Sequence, residues 1–248
     1  MIPLKDDNPT RRFPVVTMLL IAINVYVYFL VQRPYDERSN EVRFNYSYAA
    51  IPCEVVDREP LSEEEISRTL EQGDTEACVR DDVTPPVFPD KNVYLSLLYS
   101  MFLHGSILHI AGNMLFLWIF GNNIEDRTGI PAYIGFYLAA GVVASAAHIL
   151  VQPNSTIPVV GASGAVAGVM GAYLVLFPNV RIRSLLLFFV VDVRAKWLLG
   201  IWFVSQFFTN PSAGVAWVAH VGGFVFGALV ALMLRDRLRP APDPAPVY

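Results

Sequence analysis

Six stretches of this 248-residue chain are nearly free of charge: Phe13 to Val31, Ser106 to Phe120, Pro131 to Val151, Gly161 to Phe177, Trp197 to Phe208 and Ala216 to Leu234. A helix crossing the hydrocarbon layer of a bilayer needs roughly 17–25 such residues. Two of the stretches are short, and the one at Trp197 is expected to begin nearer Leu185. Charged residues make up 16% of the chain and hydrophobic ones 54%, with a mean hydropathy of +0.44, where soluble domains carry about 25% charged residues. The expected fold class is therefore an all-α integral membrane protein with six transmembrane helices. Its partners are then the lipid bilayer and other membrane proteins, with no nucleic acid among them.

The placement of Lys and Arg orients such a bundle. With the N-terminus inside, the inner segments hold Lys5, Arg11, Arg12, Arg127, Arg181, Arg183, Arg194, Lys196, Arg235, Arg237 and Arg239, while the short outer loops at 152–160 and 209–215 hold none. Basic residues in short loops mark the cytoplasmic side, and long loops count little. The expected organisation is a cytoplasmic N-terminus (1–12), a membrane domain (13–234) with a long extracytoplasmic loop (32–92), and a cytoplasmic tail (235–248). The start is too short for a transit peptide and lacks a small-residue cleavage site, so the first helix reads as retained.

This alternation delivers Ser163 and His220 from the outer side, each at the start of its own apolar stretch, and places His109 and Asn113 in the outer half of the second. Polar and ionisable groups inside a membrane are costly enough to mark function by default. Gly161, Gly164, Gly168 and Gly171 share a helix with several alanines, and Gly223 and Gly227 follow His220 at matching spacing. Small residues so placed let helix backbones approach closely in lipid. The plainer reading is that both runs only pack helices. A nucleophile and a base at one depth favour chemistry.

These residues fall into motifs that resemble a rhomboid intramembrane serine protease. Gly161-Ala162-Ser163-Gly164 matches GxSG, and Ala219-His220-Val-Gly-Gly223-Phe-Val-Phe-Gly227 matches AHxxGxxxG. His104, His109 and Asn113 keep the spacing of a third element, and Glu125-Asp126-Arg127 resembles an ExR element. The soluble-hydrolase elbow is absent, because position 165 is Ala. The resemblance implies a six-helix rhomboid fold and a Ser163–His220 dyad cleaving peptide bonds in or near transmembrane helices of single-span or other membrane substrates. It implies an oxyanion held by the Ser163 backbone with His109 and Asn113, an active site opening to the outer side, and substrate entry near the fifth helix and the loop at 209–215. Where several members of that family carry a tyrosine beneath the histidine, this chain has Ala167, so the expectation is either a Phe or Tyr from another helix in its place or an imidazole held less firmly. An inactive rhomboid-like binder of membrane helices is the alternative; a transporter would need broken helices and repeats that are missing.

No cofactor is expected. His104 and His109 lack a third ligand nearby, which argues against a catalytic zinc. His104 is expected to be a hydrogen-bonded structural residue, His148 to be interfacial and inert, and Glu125 and Arg127 to tie the second helix to its loop or to form a solvated pair. The long loop holds Glu63-Glu64-Glu65 and Asp81-Asp82. Ser62 to Gln72 reads as a short helix with Ser62 as N-cap and Gly73 after it. Otherwise the loop is expected to be solvated and to lie outside the serine–histidine cavity. Both cysteines, Cys53 and Cys78, fall within it on the oxidising side, which suggests a disulfide, with free thiols as the alternative.

Overall fold

The computed structural model describes residues 1–33, 38–79, 84–209 and 216–238. The acidic pair Asp81-Asp82, most of the expected substrate-side loop (210–215), and Arg239 with the tail after it lie outside these residues. The chain is mostly helical, at 62%. Strand β1 (Ile2–Asp6) precedes α1 (Val15–Tyr26), which continues in wider π-helical turns to Gln32. Helices α2 (Arg38–Tyr48), α3 (Pro52–Asp57) and α4 (Glu63–Glu71) form a cap, and a short α5 (Ser96–Ser100) leads back. Helix α6 (Ile107–Phe116) runs through π-helical turns into α7 (Asn122–Thr128), and α8 (Ile130–Val151) and α9 (Ser163–Leu176) follow. Strands β2 (Arg181–Leu186) and β3 (Phe189–Arg194) precede α10 (Ala195–Gln206), α11 (Trp217–Met233) and α12 (Arg235–Leu238).

Three continuous helices, Val15–Gln32, Ile107–Thr128 and Ile130–Val151, are long and apolar enough to cross a membrane. Two shorter apolar helices, α9 and α11, accompany them. The fifth expected span is corrected. The residues from Leu185, expected to extend the Trp197 helix backward, instead belong to an antiparallel hairpin over 181–194, with β1 added on its outer edge in the order β1-β2-β3. The stretch is rich in β-branched residues and alternates Arg181, Arg183 outward with Ile182, Ser184 inward, the two-residue period of a half-buried strand.

The centre of the molecule is α9, in which every residue from Gly164 to Tyr173 is buried. A helix apolar all round is one surrounded by others. Its glycines explain how closely they come. A Cβ at Gly223 would strike the Gly164 carbonyl, one at Gly227 the Gly168 carbonyl, and one at Gly171 the Phe224 carbonyl. Helices α9 and α11 therefore touch backbone to backbone. On the other side of α9, Cβ atoms at Gly164 and Gly168 would lie 2.6 Å from the Cβ of Ala144 and Ala140 of α8.

Helix ends are fastened by buried acids. Glu125, expected to serve its own loop, instead accepts from the backbone N–H of Val16 (2.9 Å) and Thr17 (2.8 Å) and from the Thr17 hydroxyl (2.8 Å). It caps the start of α1, where free N–H groups favour an anion. Arg127 lies over the Phe177 ring, 5.6 Å from its centroid. Asp6 accepts from Tyr173 Oη (2.7 Å) and Asn123 Nδ2 (2.8 Å), pinning the sheet to α9 and α7; burial pushes its carboxyl up.

The long segment after α1 is a folded cap rather than a solvated loop. Its own small core holds Tyr46, Ile51, Cys53 and Leu61. Cys53 and Cys78 are joined by a disulfide. Helix α4 starts at Ser62 as the spacing predicts, with a capping box between Ser62 and Glu65, and Gly73 turns at φ +71°. Glu54 and Lys91 form a buried ion pair at 2.5 Å, with Lys91 also donating to the Tyr46 carbonyl at 2.7 Å. Burial pushes the Glu54 carboxyl up and the Lys91 ammonium down, each opposed by the other's charge.

If the α9–α11 contact carries the fold, Gly227→Ala should cost about 1–3 kcal/mol or more through overpacking against unyielding backbone. Gly200→Ala on α10, where an added Cβ meets nothing within 4 Å, should be neutral. Thermal unfolding in detergent compares the two; equal transitions would remove the contact from its central role.

Candidate functional site

Ser163 is the first residue of α9. Helix α9 begins after Gly161, whose φ of +128° is a conformation L side chains rarely adopt, and a Cβ there would lie 2.8 Å from His109 Cε1. The glycine thus does two things: it turns the chain into the helix and leaves room for an imidazole beside the serine. The N–H groups of a first helical turn have no intrahelical acceptor, so the Ser163 backbone is a free donor by its position.

His220 lies in the first turn of α11, one turn before Gly223. Because α9 and α11 meet through their glycines, its Nε2 comes to 2.8 Å from Ser163 Oγ. Its other ring nitrogen, Nδ1, lies 2.7 Å from Gln206 Oε1 at the end of α10. Gln206 is buried, and its amide nitrogen donates to the Trp202 carbonyl (3.1 Å) and to Ser205 Oγ (3.3 Å), leaving its oxygen toward the histidine. Trp202, one turn earlier on α10, sets its ring 5.8 Å from the imidazole, tilted by 38°. The aromatic support missing at Ala167 is therefore a tryptophan from α10, where a phenylalanine or tyrosine was the expectation.

Around this pair is a cavity of about 1000 Å³. Its wall includes His109 and Asn113 on α6, His148 on α8, Ser163, and Trp202 and His220. Gly105 N–H donates to His109 Nδ1 at 3.4 Å, which leaves the proton on Nε2. Asn113 is buried and its amide nitrogen has no protein partner among the described residues. Two N–H donors thus line the space in front of the serine. His148, expected to be inert, is buried with Nδ1 unpartnered and belongs to this wall.

His104 is fully buried. Its backbone exchanges hydrogen bonds with the Gln32 side chain (3.0 and 2.8 Å), and its ring packs edge-on to His109, 5.2 Å between centroids. It supports His109 by contact, while its expected hydrogen bonding is made through the backbone.

The roof is shared. Gln152, Ser155 and Ile157 to Val160 cover the serine, and Gly73, Thr75 and Glu76 of the cap line the same cavity. This corrects the expectation that the cap lies apart. Thr156 N–H donates to the Thr75 carbonyl (3.0 Å), Thr69 and Thr156 hydroxyls meet at 2.6 Å, and Ala50 bridges Val159.

A mostly helical chain with membrane-length spans and a recessed serine–histidine pair defines the class. The rhomboid domain profile matches residues 91–237, more than half of the chain, and the chain belongs to the rhomboid family. It is 30% identical over 148 residues to the mitochondrial Rhomboid protein 1 of Saccharomyces cerevisiae, covering 54% of this chain and 40% of that one. It is 32% identical over 141 residues to Rhomboid protease GluP of Bacillus subtilis, covering 56% and 25%. With the human mitochondrial presenilin-associated rhomboid-like protein it shares 30% over 140 residues, covering 53% and 35%. The chain thus matches less than half the length of each of these relatives.

Sequence reasoning missed Gln206 and Trp202 and read His148 as interfacial and inert, where it lines the cavity. Gln206 carried a signal, being an amide within an otherwise apolar stretch; nothing in the sequence paired it with His220. If the cap holds the roof, replacing both cysteines (Cys53→Ser with Cys78→Ser) should speed amide hydrogen exchange within the cap and also at residues 155–159. Exchange confined to the cap would show that the roof stands alone.

Proposed function

We propose that this protein is an intramembrane serine endopeptidase, with the six apolar helices spanning a membrane, both termini on the cytoplasmic side and the cavity open to the other. The observation that carries the reading is the 2.8 Å approach of Ser163 Oγ to His220 Nε2 beneath a roofed cavity. Ser163 Oγ attacks the scissile carbonyl carbon while His220 Nε2 takes the hydroxyl proton. The resulting oxyanion is received by the Ser163 N–H, His109 Nε2–H and Asn113 Nδ2–H. Collapse breaks the C–N bond, and the imidazolium gives its proton to the leaving amine. Water, deprotonated by the same imidazole, then releases the acyl half as a carboxylic acid.

Several features support a substrate drawn from the membrane. Helix α9 has 14 residues, about 21 Å at 1.5 Å per residue, against a hydrocarbon core of roughly 30 Å. Its serine end therefore sits below the outer surface. Trp202 and Trp217 on α10 and α11 line the cavity, so a transmembrane segment entering beside α10 meets aromatic rings before the dyad. Such a helix must unwind to present a peptide bond, which favours Gly, Pro or small residues near the cut. Single-span membrane proteins are the substrate class.

Ser163→Ala and His220→Ala should each abolish cleavage of a single-span substrate in proteoliposomes and leave thermal unfolding nearly unchanged. A fluorophosphonate should label wild type and spare Ser163→Ala. Asn113→Ala should lower kcat by about a hundredfold with little change in KM, because one oxyanion donor is worth about 2.7–4 kcal/mol in the transition state. Full turnover without the serine or the histidine would end the protease reading. Labelling without cleavage of any single-span substrate would leave a helix-binding relative.

A further inference from the structure

Gln206 does for His220 what no carboxylate in this site does. We infer that Gln206 is a positioning residue that fixes the histidine as its Nδ1–H tautomer, so that Nε2 presents a lone pair to Ser163; this rests on the protease reading. The amide is locked the right way round. Its nitrogen is committed to the Trp202 carbonyl and Ser205 Oγ, so its oxygen must accept, and the 2.7 Å contact to Nδ1 is then a donation from the ring. With the proton held on Nδ1, the 2.8 Å contact at Nε2 can only accept the serine hydroxyl. A neutral acceptor suits a water-poor site, where a buried carboxylate would carry a large desolvation cost.

The titratable groups facing His220 across the cavity are His109 on α6, His148 on α8 and Glu76 from the cap. Substitution by Glu separates positioning from packing. Gln206→Leu, close in size but unable to accept, should lower kcat at least tenfold with KM unchanged, by the loss of the productive tautomer. Gln206→Glu should keep turnover and move the acid limb of kcat/KM upward by about one pH unit, because a carboxylate beside Nδ1 favours the imidazolium. Imidazole ¹⁵N spectra of histidine-labelled protein, which has four histidines, should report Nδ1–H at His220 in wild type and a tautomer mixture in Gln206→Leu. That readout does not depend on proteolysis. Wild-type kcat in the Leu variant, an unmoved acid limb in the Glu variant, or an Nε2–H tautomer in wild type would each overturn the assignment.

A second observation is independent of the dyad. The β2–β3 hairpin ends in Leu185-Leu-Leu-Phe-Phe-Val190, with Leu187 at φ +53°, and Leu187, Phe188 and Phe189 are 80%, 93% and 72% exposed. Toward its base the inner face is buried at Ile182 and Ser184, and the outer face carries Arg181, Arg183 and Arg194 beside Lys5 of β1, with Asp192 paired to Arg183. The strand then enters α10, where Lys196 lies over the Trp197 ring and the exposed side continues through Trp197, Ile201 and Val204. The geometry points to a lipid anchor, in which the tip enters an anionic leaflet and the arginines meet its headgroups. A flat protein partner would cover one face of the tip, whereas this tip is apolar on both. Lys and Trp at a helix start are the usual signature of the membrane interface, and basic residues there are drawn to anionic lipid.

Nitroxide at Phe188→Cys tests it in vesicles containing phosphatidylglycerol, since the native cysteines are tied up in a disulfide. The tip should be more accessible to oxygen than to a nickel chelate, as Val204→Cys should be, while Arg183→Cys should favour the chelate. Chelate access at position 188 equal to that at 183 would place the tip in water. Low access to both reagents would mean a protein contact, including one with a second copy. Either would overturn the anchor, and a chelate-accessible Val204→Cys would overturn the membrane reading itself.

Discussion

Everything in the site depends on two helices approaching until their backbones touch. Ser163 and His220 are 57 residues apart in sequence, and neither side chain is long. They meet because α9 and α11 touch through glycines: a methyl at Gly171, Gly223 or Gly227 would strike a carbonyl of the facing helix. In lipid, where burying apolar surface gives no advantage to helix association, close van der Waals packing is the main source of attraction. The contact that stabilises the bundle is thus the same one that sets the distance between Ser163 and His220.

The second requirement is a polar cavity inside an apolar structure. Each polar atom there needs a partner or water, since an unmade hydrogen bond in a buried place costs about 1–3 kcal/mol. The fold meets this by committing one side of each group to its own surroundings and leaving the other toward the cavity or the histidine. His109 uses Nδ1 on Gly105 and keeps Nε2–H; Gln206 spends its nitrogen on α10 and keeps its oxygen for His220. The roof over the serine is held from outside by the cap, through Thr69, Thr75 and Ala50. A disulfide and a buried Glu54–Lys91 pair keep the cap itself in shape.

At the opposite end buried acids join the helices in addition to the apolar core, which there includes Val16, Ile124, Phe177 and Ile182. Glu125 neutralises the first turn of α1, and Asp6 joins the sheet to Tyr173 at the lower part of α9. These contacts fix how α1, α7 and α9 stand relative to one another, and through α9 they reach the serine. An ExR element that reads as a loop charge pair is, in the fold, a cap for another helix.

The sequence alone determined which segments are apolar, the GxSG and AHxxGxxxG motifs with Ser163 and His220 in them, and the start of α4 at Ser62. These are written in local spacing: helix caps, small-residue periods and runs without charge depend only on neighbours along the chain. It did not determine the hairpin at 181–194: the two-residue alternation is confined to its base, the apolar run at 185–191 reads equally as a helix start, and β2 pairs both with β3 and with β1 far away in sequence. Nor did it determine the cap's place over the cavity, the roles of Glu125 and His148, or the support of His220 by Trp202 and Gln206. Each of these is a contact between elements remote in sequence, and orientation across a packed interface is decided by how whole helices settle against one another. Position 167 marks the division: the sequence shows an alanine, too small to support the imidazole, and only tertiary packing supplies the Trp202 ring from α10 beside it.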